Sequence, residues 1–174
     1  MNSYHNDIMI LQAWFSPAFP TGAFSYSQGL EAAVQHGLVS DKQSLTEWIS
    51  CLLTDGSGWN DGLFLKAAYE GVNDVNDLCI ALCSCKERYQ ETIELGKSFT
   101  RAVNESYGVE LEPGLAYPVA VGTAARRRNI DLKLTTQSYL QAFAASLISV
   151  GVRIIPIGQQ AGQDCLVTLC TIIE

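Results

Sequence analysis

Apolar side chains recur every three or four residues along nearly the whole chain, and no segment keeps the strict alternation of a half-buried strand. That period predicts an all-α fold: one bundle of about seven or more helices, since each long periodic run makes one amphipathic helix. Residues 1–174 are read as a single domain, because no internal repeat, low-complexity tract or linker divides them. A chain of this length can bury most of the surface it would expose unfolded.

Turn and cap residues set the expected boundaries. After an opening punctuated by Pro17, Pro20 and Gly22, Ser25 or Ser27 can cap a short helix carrying Leu30, Ala33 and Val34, which stops near Gly37. Ser40 to Gln43 reads as a capping box, for a helix through Leu45, Trp48, Ile49 and Leu52 that ends near Gly56. Asp61 begins a short helix closed by Gly71, and Asn73 caps a longer one through Val75, Leu78, Leu82 and Cys85 that runs on past Leu95 and Phe99. The stretch from Tyr107 to Gly114 has turn residues and no helical period, so it is a loop. Pro118 suits the first turn of a helix ending at Arg126, Arg127 and Arg128. Thr135 or Thr136 caps the next helix, whose Leu140, Phe143, Ala144, Leu147, Ile148 and Gly151 form a wide apolar surface. Pro156 breaks the chain, and a last helix from about Gly158 carries Cys165, Leu166, Leu169 and Ile173 on one face.

Charge excludes several partner classes. A net charge of −7 with only 11 lysines and arginines gives no basic face for nucleic acid. The run Arg126 to Arg128 most simply closes a helix, where cations complement the dipole; a phosphate-binding or arginine-finger role is the alternative. No apolar stretch is long enough to span a membrane, and the polar start from Met1 to Asp7 lacks the features of a secretory leader, so a cytoplasmic protein is expected. The six cysteines then read as reduced thiols. Apolar residues make up 48% of the chain against 17% charged, a balance that leaves apolar surface for protein partners.

No enzyme signature emerges. A GTPase needs a glycine-rich loop ending in Gly-Lys-Ser/Thr, and none exists. The segment Gly22 to Gly29 matches neither a dinucleotide loop nor a nucleophile elbow, because Ser25 stands where the elbow needs glycine. The only histidines are His5 and His36, so a Cys/His centre would have to form through His36. Cys79 and Cys83 share a helical face that excludes Cys85, leaving two thiols where a closed soft-metal site needs about four ligands. No catalytic residue, metal ligand or cofactor is therefore assigned, and an interaction protein is the class that remains.

Two segments carry a family resemblance: Ser16-Pro17-Ala18-Phe19-Pro20-Thr21-Gly22-Ala23-Phe24-Ser25-Tyr26-Ser27-Gln28-Gly29-Leu30-Glu31, and Val152-Arg153-Ile154-Ile155-Pro156-Ile157-Gly158-Gln159-Gln160-Ala161-Gly162-Gln163. Together with Gln90 to Phe99 they resemble the UreF family of urease accessory proteins. The resemblance implies an all-α homodimer that, with UreH (UreD), recruits the nickel-carrying GTPase UreG, docks on apo-urease and supports GTP-dependent nickel insertion. GTP hydrolysis would belong to UreG. It also implies that the chain ends before the family's C-terminal tail, which helps engage UreH. The runner-up is an unrelated all-α adaptor or regulatory domain.

Within this reading the partner-binding candidates are Arg153, Gln159, Gln163, Tyr26, Gln28 and Glu31, and the dimer-interface candidates are Phe143, Leu147 and Ile148. Arg153 stands amid apolar Val150, Val152 and Ile154, so its guanidinium must meet a partner, reach water or form an internal ion pair. Gln159 and Gln163 lie four apart on one helical face and can hydrogen-bond across an interface. Tyr26 offers an amphipathic ring, and Gly22 and Gly29 permit tight turns.

Overall fold

The computed structural model describes residues 3–22 and 26–174, and it is all-α, with no strand among the described residues. Nine helices are seen there: α1 Ser3–Trp14, α2 Leu30–Gln35, α3 Lys42–Thr54, α4 Ser57–Glu70, α5 Val75–Ala81, α6 Lys86–Tyr107, α7 Tyr117–Arg127, α8 Leu132–Ile154 and α9 Gly158–Ile173. They form two compact units, residues 1–23 with 61–138 and residues 24–60 with 139–174, so that α4 and α8 each contribute to both.

The first unit is built on aromatic packing and close backbone approach. Trp14 meets Phe99 edge-on at 5.3 Å between ring centroids, and Phe99 meets Tyr117 at 5.7 Å. A Cβ added to Gly96 of α6 would lie 2.0 Å from the Leu115 carbonyl oxygen, and one added to Gly122 of α7 would lie 2.2 Å from that of Leu65. Only glycine lets these helices sit so near a neighbouring backbone. Pro118 occupies the first turn of α7, as its fixed φ favours.

In the second unit Leu30, Val39, Leu45, Ile49, Leu147, Cys165 and Leu169 share one buried cluster. Cys165 of α9 packs with its sulfur 3.1 Å from the Thr46 hydroxyl of α3, and Lys42 pairs with Asp164 at 3.3 Å on the exposed edge. Gly37 in the left-handed region closes α2, where the Leu38 N–H reaches the Ala33 carbonyl.

Several expected boundaries moved. The polar N-terminus conceals a helix: α1 buries Ile10, Leu11 and Trp14 behind an otherwise unpromising start. The Ser25 cap lies outside the described residues, and Ser27 makes no side-chain cap; Gly29, at φ 78°, precedes α2 instead. The capping box of α3 sits one residue later than expected, because the Asp41 carboxylate accepts from the Ser44 N–H at 2.8 Å while the Ser44 hydroxyl accepts from the Asp41 N–H. Asp61 does not open its helix; α4 begins at Ser57 and Asp61 is buried within it. The helix expected to run from Asn73 past Phe99 is two helices, α5 and α6, separated at residues 82–85. Asp131, rather than Thr135 or Thr136, caps α8 through the Leu134 N–H, and both threonine hydroxyls donate back to carbonyls four residues earlier.

Candidate partner-binding surface

The segment from Val152 to Gln163 forms the corner between α8 and α9. Proline at 156 removes a helical donor, so α8 ends at Ile154 and Gly158, at φ 75°, opens α9. Gly162 allows the two helices to close: a Cβ there would come within 2.7 Å of Val152 and 3.1 Å of Ile148. Beneath the corner Ile155, Cys165 and Leu169 enter the core. On its outside Arg153, Gln159 and Gln163 are all exposed, with Ile154 38% exposed beside them.

Electrostatically this corner is simple. Arg153 lies in the last turn of α8, where its charge complements the helix dipole. Among the described residues it enters no ion pair, so the internal salt bridge that was the alternative does not form. From residue 154 to 163 there is no ionisable side chain at all. An uncommitted arginine bordering an uncharged, partly apolar surface has the composition of an interface centre rather than of ordinary solvent-facing surface.

The other sequence candidates are placed differently. Gln28 is half-buried and its side-chain oxygen accepts from the Ser57 hydroxyl at 2.9 Å, so it also serves the unit's own structure. Tyr26 is half-buried, and Glu31 is exposed in the first turn of α2. Leu147 and Ile148 are enclosed in the core at 1% and 6% exposure, whereas Phe143 remains half-buried. His36 is exposed at the end of α2.

Sequence reasoning missed a buried polar centre in the first unit. Arg88 of α6 donates from Nη2 to both Asp61 oxygens at 2.5 and 2.6 Å, and its Nη1 lies 3.0 Å from Glu91. All three side chains are nearly enclosed. The i,i+3 spacing of Arg88 and Glu91 was the one local signal and did not reveal their burial, and the Asp61 partner lies 27 residues away. Close by, burial pushes the Cys79 thiol up to about 12, with the negative charge of Asp61 adding to the effect. Burial raises Cys83 as well. Both therefore stay protonated near neutrality, the state in which a thiol is a poor nucleophile and a poor metal ligand. Among the described residues no three His, Cys, Asp or Glu side chains group as metal ligands.

A glutamine-rich, uncharged helix corner with one free arginine points to protein binding, and comparison with known proteins specifies the family. The UreF family model matches residues 39–170. The urease accessory protein UreF of Roseobacter denitrificans is 40% identical over 170 residues, spanning 95% of this chain and 76% of that protein. That of Ruegeria pomeroyi is 42% identical over 164 residues, 91% of this chain and 75% of the relative. This chain belongs to the UreF family. Membership in a family of urease accessory proteins supports a role in urease maturation and removes the unrelated-adaptor reading. The UreF family is an accessory family by name rather than an enzyme family. No helix among the described residues is long and apolar enough to cross a membrane.

Proposed function

We propose that this chain is a non-enzymatic scaffold of urease maturation that, with UreH (UreD), recruits the GTPase UreG and supports GTP-dependent nickel insertion into apo-urease. The observation that carries this reading is the exposed α8–α9 corner, where Arg153 has no internal partner and the next ten residues carry no charge. A guanidinium there can donate in a fixed fork to a carboxylate of a partner, while Gln159 and Gln163 supply neutral hydrogen bonds around it. Tyr26, Gln28 and Glu31 are proposed to extend the partner-binding surface. The chain works in the cytoplasm as a homodimer, binds no nucleic acid, and neither holds nickel nor hydrolyses GTP itself. Of the three residues assigned to the contact with a second copy, Phe143 keeps surface for it, and Leu147 and Ile148 act through the shape of the core.

Co-purification with UreH (UreD), followed by addition of UreG and GTP, tests the reading. Arg153→Ala is expected to weaken assembly by roughly tenfold or more, the cost of losing an interface arginine, while the melting temperature falls by no more than about 4 °C, the share of its helix-dipole contact. Assembly of the variant as tight as that of the wild type would remove Arg153 from the interface. Failure of the wild-type chain to bind any of these proteins would overturn the scaffold reading itself.

A further inference from the structure

The arginine run at the end of α7 does not act as one unit. Arg127 donates to the carbonyls of Val109 and Glu110, and Arg128 donates to the Tyr107 carbonyl at 3.1 Å while its guanidinium lies 5.9 Å from the Tyr107 ring centroid. These two close the helix end, as the sequence suggests. Arg126 is different: among the described residues it has neither an ion pair nor a side-chain hydrogen bond. Its guanidinium lies across Gly71, so close that a Cβ added there would fall 1.9 Å from Nη1. That contact holds the arginine head against the wall of an open groove of about 590 Å³ in the first unit.

The groove has an apolar floor and uncommitted charge of both signs. Val75 and Val119 belong to the buried cluster beneath it, and Val72 is 53% exposed at its edge. Asp74 and Asp77 also line it, are exposed, and form no ion pair with Arg126 or with any other described residue. Solvent satisfies these three groups in the free chain, but a groove with apolar surface between unpaired charges is complementary to an apolar segment bearing opposite charges at matching positions.

We infer that this groove docks a segment of a partner protein that presents a carboxylate to Arg126, a cation to Asp74 and Asp77, and apolar side chains to Val72 and to half-buried Leu115. It is a second contact, separate in sequence from the Arg153 corner, and it rests on the reading that this chain assembles with other urease accessory proteins. A second copy of the chain is the less favoured occupant, because a net charge of −7 on each copy opposes self-association outside a specifically matched surface.

The test places the photo-cross-linker p-benzoylphenylalanine at Val72 of the full chain, which is then mixed with purified UreH (UreD), UreG with GTP, and apo-urease. The expected result is a cross-link to one of these proteins, in a segment carrying apolar, acidic and basic side chains. Arg126→Glu and Asp77→Lys should each weaken that complex roughly tenfold, as reversal of one member of an interfacial charge pair does, while lowering the melting temperature by no more than about 4 °C, the cost of setting each reversed charge against its helix dipole. Reversing the mapped partner carboxylate to lysine should restore binding to Arg126→Glu. A cross-link only to a second copy of this chain would overturn the inference, and so would unchanged affinity of both charge variants within a complex that the wild type forms. If the wild type forms no complex with any of the three, the scaffold reading falls together with this one.

Discussion

Replacing Arg88 with methionine removes the guanidinium that bridges Asp61 and Glu91 while keeping most of the apolar stem. The exposures of the three side chains are 13%, 5% and 10%, so water cannot readily take over the role of the guanidinium. Breaking a buried ion pair by deleting one partner costs about 3–5 kcal/mol, because the remaining charge is stranded. For a domain of this size each kcal/mol moves the midpoint by about 2–4 °C, so the melting temperature should fall by roughly 6–20 °C. Calorimetry on the single variant gives the loss directly. The triple variant Asp61→Leu, Arg88→Met, Glu91→Leu separates the two possible causes: if stranded charge is responsible, removing all three charges should recover much of the loss, since an apolar replacement of a whole buried network is often neutral. A single variant melting within about 2 °C of the wild type, a shift too small for a stranded buried charge, would refute the reasoning.

Three further outcomes follow from the packing. Gly96→Ala should destabilise the chain by about 1–3 kcal/mol or more in chemical denaturation, because its Cβ would meet the Leu115 carbonyl and backbone cannot yield as a side chain does. In native alkylation at pH 8 followed by mass spectrometry, exposed Cys51 and Cys85 should react well before Cys79, whose buried thiol stays protonated; equal rates would contradict its burial. Asp41→Ala should lower the melting temperature at pH 7. Hydrogen bonds from Ser44 hold the Asp41 carboxyl below its ordinary 3.8, so its contribution is present above that value and is lost as pH falls below it. The difference between variant and wild type should therefore close in acid.

What could be read from the sequence was whatever depends on near neighbours. Gly37 and Gly71 end α2 and α4, and both have positive φ. Pro156 separates the last two helices, and Pro118 opens α7. The errors have a common physical origin in distant partners and competing local ones. Asp61 looks like a cap because its neighbours allow one, but the guanidinium of Arg88 makes burial more favourable than capping. Leu82 to Cys85 contain no glycine or proline, so the break between α5 and α6 leaves no local mark, and Leu78 and Leu82 are more than half exposed rather than core. At α3 and α8 an aspartate preceding the helix displaced serine or threonine from the cap, as an ionised acceptor of two or more donors can. The candidate surface was legible in part: Arg153, Gln159 and Gln163 are exposed together at one corner. Leu147 and Ile148 show the limit of an apolar period, which reports burial without saying whether the cover is the chain itself or a partner.

The most direct measurement of the central claim is the nickel content of urease. Purified apo-urease is incubated with UreH (UreD), UreG, nickel and GTP, with and without this chain, then desalted and analysed for bound nickel and for urea hydrolysis. The account predicts GTP-dependent nickel loading that requires the chain, is reduced by Arg153→Ala, and leaves no nickel on the chain itself. Equal loading with and without the chain, under conditions where UreG hydrolyses GTP, would contradict it.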